Sequence, residues 1–125
     1  MAAIIRLARR LGLDYSGMEA DDFWLAGESG EIIGICGLKT HRDCLELCAL
    51  GVQESWRRTG VGTRLVRAVL QAAGSEVYLA TVIPDFFTRF GFRATDQIPS
   101  PMIKKADWCQ GCRRELCQIM IRPQP

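Results

Sequence analysis

Two glycines one residue apart, Gly60 and Gly62, stand where a strand-like run gives way to an amphipathic helix. This joint limits what can be built around it. Ahead of it, "CLELCALGV" (residues 44–52) reads as a strand. Behind it, Val61, Leu65, Val69 and Ala73 fall on one helical face, flanked by Val66 and Leu70. Residues 60–73 therefore read as a helix, with Gly74 as its stop. A strand that turns through glycine into a helix can bring backbone N–H groups close to an anion at the helix's positive end. Arg57, Arg58 and Arg64 add full charges to that corner. A pyrophosphate is a physically reasonable guest. The plainer alternative is a pair of glycines that only lets the helix pack. Neither G-x-x-x-x-G-K-[ST] nor G-x-G-x-x-G occurs, so an ATP loop and a dinucleotide turn are not indicated.

The rest of the chain surrounds this joint with mixed elements. Ile4, Ile5, Ala8 and Leu11 predict a helix over residues 3–12, ended by Gly12. Phe23–Leu25, a turn at 28–31 and Ile32–Leu38 read as a hairpin, and residues 44–52 extend it into an antiparallel meander. "VYLATV" (77–82) is a buried-strand pattern. Pro84 opens a short helix that ends at Gly91. "FRAT" is a short strand, and a last strand lies around residues 116–121. This order predicts an α/β or α+β fold rather than an all-α or all-β one. With no repeat or linker, residues 1–125 read as a single domain.

Charge and cysteines narrow the partners. A net charge of +2 is too small to indicate nucleic acid or an anionic membrane, so any phosphate site must be local. No apolar run approaches the roughly 20 residues of a membrane span. Arg6, Arg9 and Arg10 among apolar residues suit an amphipathic presequence or an ordinary surface helix, and the surface helix is the reading taken. Six cysteines stand at 36, 44, 48, 109, 112 and 117. With 125 residues to build a core and no secretory pattern, the expectation is a cytoplasmic protein with reduced thiols.

"LGVQESWRRTGVG" (residues 50–62) resembles the coenzyme A loop of the GCN5-related N-acetyltransferases, whose [RQ]-x-x-G-x-[GA] signature is met by Arg57, Gly60, Val61 and Gly62. Leu50 and Val52 match the family's splayed strand along the pantetheine. "FFTRFGF" (86–92) resembles the second landmark, a short helix closing in Gly-Phe. The resemblance implies a mostly antiparallel central sheet flanked by helices, with acetyl-CoA as co-substrate and a small-molecule amine as acceptor. Arg57, Arg58, Thr59, Gly60, Val61, Gly62 and Thr63 would hold the pyrophosphate. A tail with Trp108, Cys109, Cys112 and Cys117 is similar to a glutamate N-acetyltransferase-like subgroup, which implies an amino-acid acceptor such as glutamate.

An amine attacks as a neutral species, so a base must take its proton. Some family members place a glutamate where Glu46 stands; the alternative is a solvent-facing strand residue. A backbone N–H near Leu50–Val52 would polarise the acetyl carbonyl. Phe87 occupies the position of the family's usual tyrosine acid and cannot donate a proton, so no general acid is assigned; it could pack against the pantetheine. Cys48 as a nucleophile is set below Cys48 as core. Cys109, Cys112 and Cys117 offer three zinc ligands without an evident fourth, for which His41, Cys44 or Cys36 would have to approach; reduced cysteines are preferred, so no metal site is assigned. Arg89, Arg93, Lys104 and Lys105 are candidates for the acceptor's carboxylate. The family's usual first strand has no counterpart ahead of the first helix. The sheet is therefore expected to lack that edge strand, and pairing with a second copy is one way to cover it. The competing reading is a non-catalytic module that binds coenzyme A or zinc.

Overall fold

In the computed structural model, which describes residues 1–103 and 117–123, the apolar stripe near the start forms helix α1 (Ala2–Leu11) and buries Ile4, Leu7 and Ala8. Gly12 ends it, with its N–H bonded back to the Ala8 and Arg9 carbonyls. Strands β1 (Phe23–Glu28) and β2 (Glu31–Thr40) pair as an antiparallel hairpin, from Phe23 opposite Gly37 to Glu28 opposite Glu31. Both turn residues, Ser29 and Gly30, have positive φ (51° and 80°), which matches the twist of a tight hairpin. Strand β3 (Leu45–Val52) follows, then helix α2 (Val61–Ala73) and strand β4 (Val77–Thr81). A short helix α3 (Pro84–Thr88), the two-residue β5 (Arg93–Ala94), helix α4 (Ser100–Ile103) and β6 (Gln118–Arg122) complete the described elements. They form one six-stranded sheet in the order β1-β2-β3-β4-β6-β5. The expected mixed, mostly antiparallel sheet is thus observed. Among the described residues no strand precedes α1, and β1 is the outer strand. Among the same residues no helix is long and apolar enough to cross a membrane.

The chain groups into two compact units. The first comprises residues 1–39 and 47–74. Its core joins Ile4, Leu7 and Ala8 of α1 to Met18, Phe23, Ile35 and Cys48. A Cβ on Gly34 would stand 3.0 Å from methyls of Leu65 and Val61 on α2, while its neighbour Ile35 belongs to the α1 core. Adjacent strand residues point to opposite faces, so α1 and α2 cover opposite faces of β2. Gly51 on β3 lets the chain after α1 come close. A Cβ there would meet Leu13 and Leu11 methyls at 2.6 and 2.7 Å.

The second unit comprises residues 40–46 and 75–125. Here β3 runs parallel to β4, with Leu45 beside Val77 and Glu46 beside Tyr78. β6 pairs antiparallel with β4 from Thr81 opposite Gln118 to Val77 opposite Arg122, and with β5 through Arg93–Ile121 and Ala94–Met120. Val77, Leu79, Phe87, Phe92, Met102 and Met120 are buried. α4 was not anticipated, because its Ser-Pro opening reads as loop when no partner strand is known. The expected last strand begins at Gln118; Leu116 lies outside the described residues.

Candidate active site

In the first unit the candidate site is built mainly from backbone. Gln53 anchors the end of β3: its N–H bonds Ile33 O at 2.7 Å, and its side-chain amide donates to Ile32 O at 2.8 Å and to Glu31 Oε1 at 3.1 Å. A 3₁₀ turn over Glu54–Trp56 carries the chain outward. Arg57 Nε returns to donate to Val52 O at 3.2 Å, and the Thr59 hydroxyl donates to Trp56 O. Arg58 is left-handed at φ 66°, which is uncommon for a non-glycine residue. Gly60 caps α2 at φ 91°, a region open to glycine without steric cost.

The first bond into the helix runs from Arg64 N to Gly60 O, 3.1 Å. The amides of Val61, Gly62 and Thr63 therefore precede the helical ladder. No side chain caps this end, and no acidic residue stands in its first turn. Arg57, Arg58 and Arg64 are exposed around it. Backbone donors, the helix dipole and three cations thus face water together, an arrangement that fits a pyrophosphate. Thr59 and Gly60 are exposed, while Leu50, Val52, Val61, Gly62 and Thr63 are half-buried. Ahead of the loop, Ala49 takes φ 52° inside β3, an interruption that the residue types do not announce. Trp24 and Trp56 line a groove of about 430 Å³ with Thr59, Val61 and Arg64, and neither tryptophan was singled out from the sequence.

In the second unit the candidate chemistry is carried by side chains. Glu46 is 1% exposed, so the solvent-facing alternative does not hold. Its Oε1 lies 2.9 Å from His41 Nε2. His41, the chain's one histidine, was named from the sequence only as a possible fourth zinc ligand and not as a partner of Glu46. A tight turn, with His41 N–H donating to Cys44 O at 2.9 Å, brings it back over the start of β3. Burial pushes the Cys44 thiol above its ordinary value, and the charges of Glu46, Asp43 and Glu76 add to it. Burial likewise raises the Tyr78 phenol, with Glu76 and Cys44 contributing. Both groups therefore hold their protons at neutral pH.

Phe87 on α3 is buried at 4% and packs edge-to-face on Phe86 and Phe92, with ring centroids 5.0 and 5.8 Å apart. Arg89 lies over the Phe86 ring at 4.8 Å, and Arg93 is exposed on β5. Cys48 sits in the α1 core, its thiol 3.6 Å from Met18 Sδ, as the core reading expects. Cys117 is half-buried. Cys109, Cys112, Trp108, Lys104 and Lys105 lie outside the described residues. Among the described residues no group of histidine, cysteine and carboxylate side chains is arranged to hold a metal ion.

Residues 2–92 match the family model of the acetyltransferase (GNAT) family, a span that includes Glu46, the loop and Phe87 and excludes the cysteine-bearing tail. N-acetylglutamate synthase from Neisseria gonorrhoeae, solved with coenzyme A and N-acetyl-glutamate, is similar in structure with a TM-score of 0.76 and 22% identity over 100% of this chain. This chain spans only 33% of the Neisseria protein. The protein Rv2747 from Mycobacterium tuberculosis, solved with coenzyme A and a second ligand, gives a TM-score of 0.71 at 19% identity, covering 98% of this chain and 92% of that one. Escherichia coli ElaA gives 0.72 at 17% identity, covering 97% and 88%.

Proposed function

Because the chain belongs to the acetyltransferase (GNAT) family and so to a class of acyl-transferring enzymes, we propose that it transfers an acetyl group from acetyl-CoA to the amine of a small molecule, with an amino acid such as glutamate as the acceptor. The observation that carries the reading is the uncapped N-terminus of α2, with left-handed Gly60 and no acid in the first turn. In this proposal the amides of Val61, Gly62 and Thr63 bind the pyrophosphate, and Arg57 and Arg58 neutralise it. Leu50 and Val52 lie along the pantetheine, and a backbone N–H of that stretch polarises the acetyl carbonyl. When bound, acetyl-CoA supplies an activated acyl group with a thiolate leaving group.

Glu46 takes the proton that the acceptor's ammonium must shed before attack. The glutamate assignment draws support from the tail's resemblance and from the N-acetyl-glutamate bound to the Neisseria protein. Phe87 lacks a hydroxyl, so its part is shape rather than proton donation. That same lack favours a second reading, a module that binds coenzyme A without turnover. The first test is calorimetric titration with acetyl-CoA of the wild type and of Gly60→Asp, followed by an acceptor screen. Wild-type binding that is lost in the variant supports the loop's role. No wild-type binding withdraws the acetyltransferase reading, and binding without turnover on any amine favours the second one.

A further inference from the structure

Glu46 is a carboxylate taken almost wholly out of water, and a charge at that depth is costly unless a donor meets it. His41 Nε2 stands 2.9 Å from Glu46 Oε1, and the His41 side chain keeps 22% of its surface exposed. An ionised carboxylate only accepts, so the proton between them sits on Nε2. Backbone structure places both residues. The turn from His41 N–H to Cys44 O sets the His41 backbone, and parallel pairing with Tyr78 sets that of Glu46. The other charged groups lining the recess beside His41, about 460 Å³, are Arg42, Asp43 and Glu76; Cys44 contributes a protonated thiol. All three charged groups are exposed, whereas Glu46 is buried.

We propose that His41 is a positioning residue for proton transfer by Glu46. Its Nε2–H holds Oε1 and so helps to orient the carboxylate that receives the proton. The N–H bond of the acceptor's ammonium breaks, and its electron pair remains as the amine lone pair. An O–H bond forms on the carboxylate, and the proton passes to water when Glu46 re-ionises. Loss of this bond that shifts the carboxylate by about 1 Å would cost about 100-fold in rate.

This inference rests on the acetyltransferase reading, and its test separates the two. The lone histidine makes the ring nitrogens assignable without ambiguity. A nitrogen-15 correlation spectrum of the wild type, at a pH where the ring is neutral, is expected to show the Nε2–H tautomer; the Nδ1–H tautomer overturns the proposal without need of any variant. Turnover is then followed with acetyl-CoA and a panel of amino acids headed by glutamate. His41→Phe keeps the shape without the donor and is expected to lose about 100-fold in kcat with acetyl-CoA affinity unchanged. His41→Gln restores a donor and is expected to recover most of that loss. Equal losses in both variants, or no loss in His41→Phe while Glu46→Gln collapses, overturn the role of His41 and leave the base in place. Full activity in Glu46→Gln, or no wild-type turnover on any acceptor, overturns the reading on which it rests.

Discussion

The corner at residues 53–64 and the pair at His41 and Glu46 handle charge in opposite ways. The corner is backbone-built and partly exposed. Its donors are peptide N–H groups, its shape depends on a left-handed Gly60, and its arginines stay in water. The pair is side-chain-built, with a carboxylate at 1% exposure whose Oε1 meets a ring nitrogen. A backbone site depends on chain geometry and tolerates exchange of many side chains. A side-chain site depends on two groups and on the hydrogen bond that orients one by the other. The first should therefore fail in binding and the second in rate.

Gly60→Asp should give the largest effect. An aspartate must adopt φ near 91° and sets a negative charge where the phosphates belong. Acetyl-CoA affinity is expected to fall more than about 100-fold by calorimetry, at about 1.4 kcal/mol per tenfold. Retained affinity would break the contrast at its backbone end. Glu46→Gln is expected to reduce kcat by about 10²–10³-fold with acetyl-CoA affinity unchanged. A matching loss of affinity would show that the two regions are not separable in this way.

Gly51→Ala tests packing near the corner without touching its charges. The methyl would meet Leu13 and Leu11 at 2.6 and 2.7 Å. A stability loss of about 2 kcal/mol is expected in urea denaturation. Arg57→Ala removes one cation and the bond to Val52 O, so acetyl-CoA should bind about tenfold more weakly, and less so in high salt.

The smallest effect concerns thiols around the pair and the core. Burial raises Cys36, with Cys48 adding to it, and burial also raises Cys44. The folded values lie above the unfolded one, so the contribution to stability is complete below the ordinary thiol value near 9.0 and is lost as pH rises through the folded values. The urea midpoint should stay level through neutral pH and decline only in the alkaline range. Iodoacetamide at neutral pH should modify Cys44 slowly and Cys36 scarcely at all in the native protein. Rapid labelling of Cys36 would contradict its burial.

The corner was legible in the sequence because its function is written in spacing. Arginine, two glycines and a helical stripe can be counted, and α2 starts at Val61, one residue after the expected start at Gly60. The fold was legible for the same reason, since alternation and helical period located α1, the hairpin, β3 and β4 closely. The pair was only half legible. Glu46 stood out by its position relative to the loop, yet strand alternation could not tell a buried face from a wet one. His41 lies five residues away and meets Glu46 only because a turn at Cys44 reverses the chain. The left-handed conformations of Arg58 and Ala49 were hidden as well, because neither residue type prefers them.

Ala49 has a consequence for how this strand can change over time. Regular β structure is a two-beat rhythm, and every inserted or deleted residue throws all later side chains onto the wrong beat. The left-handed step at Ala49 works as a rest between two bars. Glu46, Leu47 and Cys48 keep their measure ahead of it, all buried, while Leu50, Gly51 and Val52 keep another behind it, all half-buried. Substitutions can accumulate in the later bar, and so retune what lies along it, without disturbing the beat on which Glu46 falls.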